Sequence, residues 1–532
     1  MNHIALYDTT LRDGTQGEDV SFSVDDKLHV VRALDEFGID YIEGGWPGSN
    51  PRDVEFFRRA RLLTLRHARL AAFGSTRRAK NRTEDDPNIK ALLEAETPVV
   101  TIFGKSWLLH VRAALQIGDE ENLEIIEDSV AHLAAHGREV IYDAEHFFDG
   151  YKDAPDYALR TLRAAVRGGA RTIVLCDTNG GSLPEDITRI VETVVNTVSI
   201  SIGIHTHNDG DLAVANTLAA VRCGAVHVQG TVNGYGERCG NANLCSIIPT
   251  LQLKMGYTCA KAGSLARLTE MSRYIADLAN LALPKHLAYV GQSAFAHKGG
   301  VHVSAVMKDR TTYEHIDPSL IGNRRRVLVS DLSGKSNVAY KAQELGITLG
   351  EGSEAAQRIV EEIKLREHNG YHYEDADGSL EILMRQKINT WREFFELGGF
   401  KVIIHKDTDA EPVSEALIKV RVGNQVEHTA AEGNGPVNAL DNALRKALEK
   451  FYPELKRIVL SDYKVRVLDG LDGTAAKVRV LITTKDEKTS WNTVGVSPNI
   501  IEASWKALVD SITCYLMNQV SPVEEAREHT AG

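Results

Sequence analysis

The chain has 532 residues, 43% hydrophobic and 25% charged, with 61 Lys and Arg against 73 Asp and Glu for a net charge of −12. That size and balance predict a globular protein of several domains and exclude a disordered chain. The acidic excess argues against a nucleic-acid partner, whose footprint is basic, yet leaves room for a local pocket that receives a small anion.

The opening residues pass straight into a strand-like segment with no charged-then-apolar leader, so no secretory signal is expected. No apolar run reaches membrane-spanning length, so no membrane partner is expected either. Cys176, Cys223, Cys239, Cys245, Cys259 and Cys514 form no CxxC pair and read as reduced thiols, which together predict a cytoplasmic protein.

Apolar runs of strand length recur at 4–8, 39–43, 70–73, 99–103, 139–143, 172–176, 200–205 and 226–230. Such uninterrupted runs suit a parallel sheet covered on both faces. Amphipathic stretches separate them. In the first, Ser23 and Asp26 form a capping box, Leu28, Val31, Leu34 and Phe37 share a face, and Gly38 ends the helix. Eight such units predict an α/β fold with a (β/α)8 TIM barrel over 1–275, a doubly wound open sheet being the competitor.

A near-continuous amphipathic run over 257–290 leads into a helical connector assigned to 276–400, Gly- and His-rich over 291–340 and helical around 338–366. In the last part, GNGPVNALDNALRKAL (433–448) and VGVSPNIIEASWKALVDSI (494–512) are alike, and each follows alternating strands. They predict a pseudo-duplicated α/β domain over 401–520 that binds an effector or a partner subunit, followed by a tail at 521–532.

In a (β/α)8 barrel the chemistry sits at the C-terminal ends of the strands. The first strand ends in Arg12-Asp13-Gly14 and the seventh in His205-Thr206-His207, where alternate residues share a side. Strands 1 and 7 are separated around the ring only by strand 8. Asp13, His205 and His207 therefore read as a two-His–one-carboxylate metal face with open positions, against the plainer reading of a hydrogen-bonded histidine pair. That donor set accepts Mn, Mg or Zn.

After strand 8 the Gly-rich segment 233–241 brings Glu237 and Asn241 near that face to orient water; it also reads as a plain turn. The Thr178 hydroxyl after strand 6 is placed to bind a substrate carboxylate, and Glu145 with His146 follow strand 5. A metal with two adjacent open positions chelates a 2-oxo acid and polarises its carbonyl. Arg12 would steady the alkoxide formed when a carbanion adds, unless it is only a structural ion pair. Carbon–carbon bond chemistry at a 2-oxo acid is implied, in either direction.

DTTLRDGTQ (8–16), HTHNDGDLAVAN (205–216), NGYGERCGNANL (233–244), FAHKGGVHVSAV (295–306), YEHIDPSLIGNRRRV (313–327) and SGKSN (333–337) occur in this order. With them the chain resembles the DRE-TIM metallolyases and, more narrowly, the 2-isopropylmalate, homocitrate and citramalate synthases. The resemblance covers nearly the whole chain. It implies that Asp13, His205 and His207, with Asn241 close by, bind a divalent metal. Arg12 would contact the keto oxygen and Thr178 the carboxylate, and Glu145 matches the acidic active-site residue. It also implies that His302 and Tyr313 serve the neighbouring subunit's site, hence a homodimer. Where these synthases commonly have His-x-Asp-Gly, this chain has His302-Val303-Ser304-Ala305, which removes the carboxylate beside His302.

GGWPGSNP (44–51), FGKSW (103–107) and YDAEHFFDGYK (142–152) are most similar to the citramalate branch. That branch implies acetyl-CoA and pyruvate as substrates, (R)-citramalate as product, and isoleucine as effector of the C-terminal domain. Two candidates stand for the base that deprotonates the acetyl group, His302 with Tyr313, or Glu145. The competing expectations are a 2-isopropylmalate or homocitrate synthase, and a metal-dependent lyase or aldolase.

Overall fold

The eight apolar runs become β1 (Ala5–Asp8), β2 (Tyr41–Gly45), β3 (Arg69–Ser75), β4 (Val99–Lys105), β5 (Glu139–Glu145), β6 (Thr172–Asp177), β7 (Ser201–Thr206) and β8 (His227–Gly230). In this computed structural model, which describes residues 3–349, 354–468, 473 and 475–519, they close into a parallel barrel in sequence order. The tail expected over 521–532 lies outside the described residues. Closure runs through β1 and β8, with Ala5 opposite His227 and Asp8 opposite Gly230.

The helix Val24–Phe37 starts and stops as its sequence dictates. The Ser23–Asp26 capping box is formed, and Gly38 ends the helix in the left-handed region at φ 95°. Its face of Leu28, Val31, Leu34 and Phe37 is buried in the barrel's main core. Inside the barrel, Tyr7, Ala71, Val99, Ile141, Val174 and Cys176 form a small second core beneath the mouth.

The amphipathic run over 257–290 is not one helix. It resolves into a short 3-10 turn, Ser264–Arg267, and a helix, Leu268–Leu278, after which Asn280 turns left-handed at φ 53°. Apolar periodicity marked the buried face, but three-residue spacing does not distinguish a helix from turns that bury the same side chains.

The chain divides into two units, Met1–Phe295 with Ile316–Arg325, and Ala296–His315 with Arg326–Gly532. In the second, β9 (Ala296–His297) pairs with β10 (Arg326–Val327), and the expected helical stretch is two helices, Lys335–Glu344 and Glu354–His368. Beyond them lies the helix Asp377–Lys387.

The duplication near the C-terminus is real, and each half carries one more strand than its alternating pattern announced. β11 (Glu396–His405), β12 (Val413–Val422) and β13 (Gln425–Gly433) form one antiparallel sheet, completed by the helix Pro436–Leu448. β14 (Val459–Val467), β15 (Val478–Lys485) and β16 (Ser490–Ser497) form the other, completed by Ile500–Gln519. The central strands alternate cleanly, placing Ala416, Ile418 and Val420, and Val480 and Ile482, in a shared core with Leu444 and Leu508. The edge strands β11 and β14 are mostly exposed, so burial writes no strict alternation into them.

One half-buried carboxyl is expected to give this unit a pH dependence. Asp510 accepts a hydrogen bond from Ser379 Oγ at 2.6 Å, and burial pushes its pKa up to about 7. A carboxyl titrating higher in the folded state contributes stability that is complete below the unfolded value of 3.8 and is lost as pH rises through about 7. Asp510→Asn is therefore expected to raise the thermal midpoint at pH 8.5, by a few kcal/mol of stability, and to raise it by less than half as much at pH 5. Differential scanning calorimetry at the two pH values checks this.

Candidate active site

Each strand hands its next residues to the barrel mouth, and short-range chemistry fixes how. After β1, the Asp8 carboxylate accepts from the Thr10 amide at 3.0 Å and the Thr10 hydroxyl at 2.8 Å. Thr10 Oγ1 in turn accepts from the Val232 amide at 2.9 Å. The loops after β1 and β8 are thereby tied together, with Arg12 and Asp13 presented between them.

Asp13 Oδ2 lies 3.6 Å from His205 Nε2 and 4.0 Å from His207 Nε2, and the two imidazole nitrogens are 3.3 Å apart. All three side chains are buried, and their donor atoms lie within 4.8 Å of one another. Burial lowers the pKa of both histidines, His207 to about 4. Burial opposes the charge on Asp13, but Arg12 and the two imidazoles outweigh it and hold the carboxyl well below its usual range. Two imidazoles and a carboxylate converging on one point are a candidate divalent-metal ligand set.

Asn241 belongs to the same cluster. Its Nδ2 donates to Asp13 Oδ1 at 3.0 Å and to the Tyr235 carbonyl at 3.1 Å, while its buried Oδ1 has no hydrogen-bond partner among the described residues. An orphaned, buried carbonyl oxygen bonded through its own amide to a metal-type carboxylate fits a further metal ligand. The Gly-rich loop makes this placement feasible. Gly236 sits at φ 153°, and a Cβ there would collide with Asn241 Nδ2. The Ala242 amide bonds the Thr206 carbonyl at 3.0 Å, stitching the loop onto β7.

Arg12 is fixed by two carboxylates. Its Nε donates to Glu43 Oε2 at 2.6 Å and its NH1 to Asp13 Oδ2 at 2.9 Å, with the guanidinium lying 3.6 Å over the Phe73 ring. Burial works against its charge, but Glu43 and Asp13 more than restore it. Glu43 is fully buried in the middle of β2 and also accepts from Tyr7 OH, at 2.5 Å, and from Thr9 Oγ1. A bulge after Glu43 aims it inward, and it needs glycine: at Gly45, φ 147°, a Cβ would stand 2.5 Å from the Asp53 carboxyl.

On the far side of the mouth, Thr178 Oγ1 accepts from the His146 amide at 2.9 Å, which leaves its own proton to donate to a carboxylate. Glu145 ends β5 and is ion-paired with Lys105 at the end of β4. Glu237 lines the cavity but is exposed, with its carboxylate 3.6 Å from Arg238. Trp46, Phe73 and Phe103 wall a cavity of about 200 Å³ that opens onto Arg12, Asp13, His205, His207, Glu145 and Thr178. The three rings pack on one another at centroid distances of 5.5–5.7 Å.

Seven of the expected site residues thus meet at one mouth. His302 and Tyr313 lie in the second unit, where their rings stack at 4.2 Å and 28°. Glu43, Lys105, Asp143, Gln229 and the three aromatic rings join the site without having been expected there from the sequence. A carboxylate or amide inside an apolar strand was the available signal for Glu43, Asp143 and Gln229, because such a group enters a barrel interior only with partners.

The HMGL-like family model matches residues 3–275, the homocitrate synthase post-HMGL domain-like model 289–370, and the LeuA allosteric (dimerisation) domain model 374–516. Over 99% of its length the chain is 56% identical to the whole of a protein named (R)-citramalate synthase from Geobacter sulfurreducens. The corresponding protein of Aquifex aeolicus is 53% identical, over 97% of this chain and 98% of that one. The chain belongs to the (R)-citramalate synthase family. A probable 2-isopropylmalate synthase of Methanopyrus kandleri is 32% identical over 96% of this chain and 98% of its own. Membership in the (R)-citramalate synthases joins the barrel, the post-barrel region and the C-terminal sheets in one acyltransferase architecture.

Proposed function

We propose that the protein condenses acetyl-CoA with pyruvate and hydrolyses the resulting thioester, releasing (R)-citramalate and CoA. The observation that carries this reading is the junction of Arg12 and the Asp13–His205–His207 donor set in a cavity of about 200 Å³ walled by aromatic rings. The high identity to proteins named (R)-citramalate synthase favours pyruvate over a branched or dicarboxylic 2-oxo acid.

Asp13, His205, His207 and Asn241 would hold the divalent ion, Mn, Mg or Zn. Once bound, it supplies Lewis acidity to the 2-oxo acid's carbonyl. The Thr178 hydroxyl donates to the substrate carboxylate. A base takes a proton from the acetyl methyl group, and the enolate carbon bonds to the keto carbon of pyruvate. Negative charge passes to the former keto oxygen, where the Arg12 guanidinium steadies it until a proton equivalent to the one taken from the acetyl group makes it a hydroxyl. Water then splits the thioester to the carboxylate, with CoA leaving as the thiol.

His302 with Tyr313 is the proton-handling pair in this reading, contributed to the neighbouring subunit of a homodimer, with Glu145 as the alternative base. If His302→Ala retained turnover within a few-fold while Glu145→Ala lost it, the roles would be reversed. In place of the missing carboxylate, His302 has the Tyr313 ring against it.

The C-terminal unit would bind isoleucine as effector. Its helix Pro436–Leu448 borders a cavity of about 600 Å³ in which Asp441 and Lys456 offer both charges a free amino acid requires, beside apolar Val459 and Leu460. Isoleucine is expected to raise the thermal midpoint of the full chain, where threonine does not. A cytoplasmic location completes the reading, acetyl-CoA being an intracellular thioester.

Thiol release with pyruvate, 2-oxoisovalerate and 2-oxoglutarate, each with acetyl-CoA, tests the substrate choice. Pyruvate alone is expected to support turnover, and activity confined to 2-oxoisovalerate would overturn it. Phe103→Ala enlarges the cavity, so the ratio of kcat/KM for 2-oxobutyrate over pyruvate is expected to rise about tenfold, as one methylene in an apolar pocket allows.

A further inference from the structure

We propose that Gln229 and Asp143 are positioning residues that lock His205 in the tautomer able to bind a metal. The inference rests on the metal reading of the site. His205 stands on β7, Gln229 on β8 and Asp143 on β5, so the connection crosses the barrel interior, and all three residues are buried.

His205 Nδ1 lies 2.9 Å from Gln229 Oε1, and Gln229 Nε2 lies 3.0 Å from Asp143 Oδ1. An amide oxygen only accepts and an amide nitrogen only donates, so the two contacts decide each other. Burial raises the pKa of Asp143, but its Oδ1 accepts from the NH2 group even when Oδ2 carries a proton, and this contact turns the carbonyl toward His205. Nδ1 must then carry the imidazole proton, which leaves a bare lone pair on Nε2, the nitrogen that faces Asp13 and His207.

The reversed amide would set its NH2 against Nδ1 and its oxygen against Asp143. That arrangement moves the proton to Nε2 and removes the ligand. A neutral amide between imidazole and carboxylate thus transmits orientation without placing a second full charge beside the ligand set. The arrangement is one-sided, because the buried Nδ1 of His207 has no hydrogen-bond partner among the described residues. His205 is the ligand with the fixed tautomer, and His207 has no corresponding partner to hold its own.

Titrating Mn2+ into chelator-stripped protein, with free ion followed by electron paramagnetic resonance, tests this without turnover. Gln229→Met keeps the side chain's length and removes both contacts, and is expected to weaken Mn2+ binding by about 10–100-fold. Gln229→Glu keeps an acceptor opposite Nδ1, shares a proton with Asp143, and is expected to bind within about threefold of wild type. A merely structural role would move both variants together. Asp143→Leu, which releases the amide, is the second test should Gln229→Met not fold, and an affinity loss is expected there too. Equal affinity in wild type, Gln229→Met and Asp143→Leu would overturn the inference alone. Failure of the wild type to bind Mn2+ would overturn the metal reading and the inference with it.

Discussion

Asp13→Asn is expected to lower turnover by at least about 10³-fold while leaving the barrel folded, because the loss of Lewis-acid assistance costs several kcal/mol. The substitution keeps the side chain's shape and its place in the loop, tied through its backbone amide to Thr9 Oγ1. What it removes is the one negative charge among the three converging donors. Arg12 keeps Glu43 as partner, so the variant does not strand a buried cation. Metal content after dialysis and kcat, measured on the same sample, check the expectation. A variant that bound no metal yet turned over within tenfold of wild type would separate the ion from the chemistry.

Arg12→Lys is expected to lower kcat by about 10²–10³-fold, the scale on which loss of an oxyanion-stabilising donor is felt. Two of the guanidinium's nitrogens are committed to Glu43 and Asp13, and its plane lies on Phe73. NH2 is the nitrogen left to meet the charge that develops on the substrate. A lysine ammonium is a point charge without that fork, and holding both carboxylates draws it away from the reacting oxygen. Glu43→Gln should cost less, about tenfold, since Glu43 acts through Arg12. Steady-state kinetics on the two variants distinguish the roles: Arg12→Lys falls mainly in kcat, and equal losses would contradict the assignment.

What could be read in advance follows from where polar groups stand on their elements. Asp13, His205 and His207 follow or end strands, where the barrel rule assigns chemistry, and the His-x-His spacing announces a shared side. Glu43, Asp143 and Gln229 sit inside runs that read as core. Their meaning depends on which other strands face them across the barrel, and nothing local in the chain states that. The aromatic wall is hidden for a similar reason: Trp46, Phe73 and Phe103 come from three βα units and look like packing until the cavity is seen. The capped helix Val24–Phe37 was legible because its signals are local. The run over 257–290 was not, because burial of one face is common to helix and turn.

The proposed condensation is best tested by the product itself. Metal-loaded protein, pyruvate and acetyl-CoA carrying carbon-13 in its acetyl methyl group should give (R)-citramalate with the label in the new methylene, with one CoA released per molecule formed. Chiral chromatography with mass detection reads both. A different acid, the (S) enantiomer, or CoA released without a new carbon–carbon bond would contradict the proposed reaction.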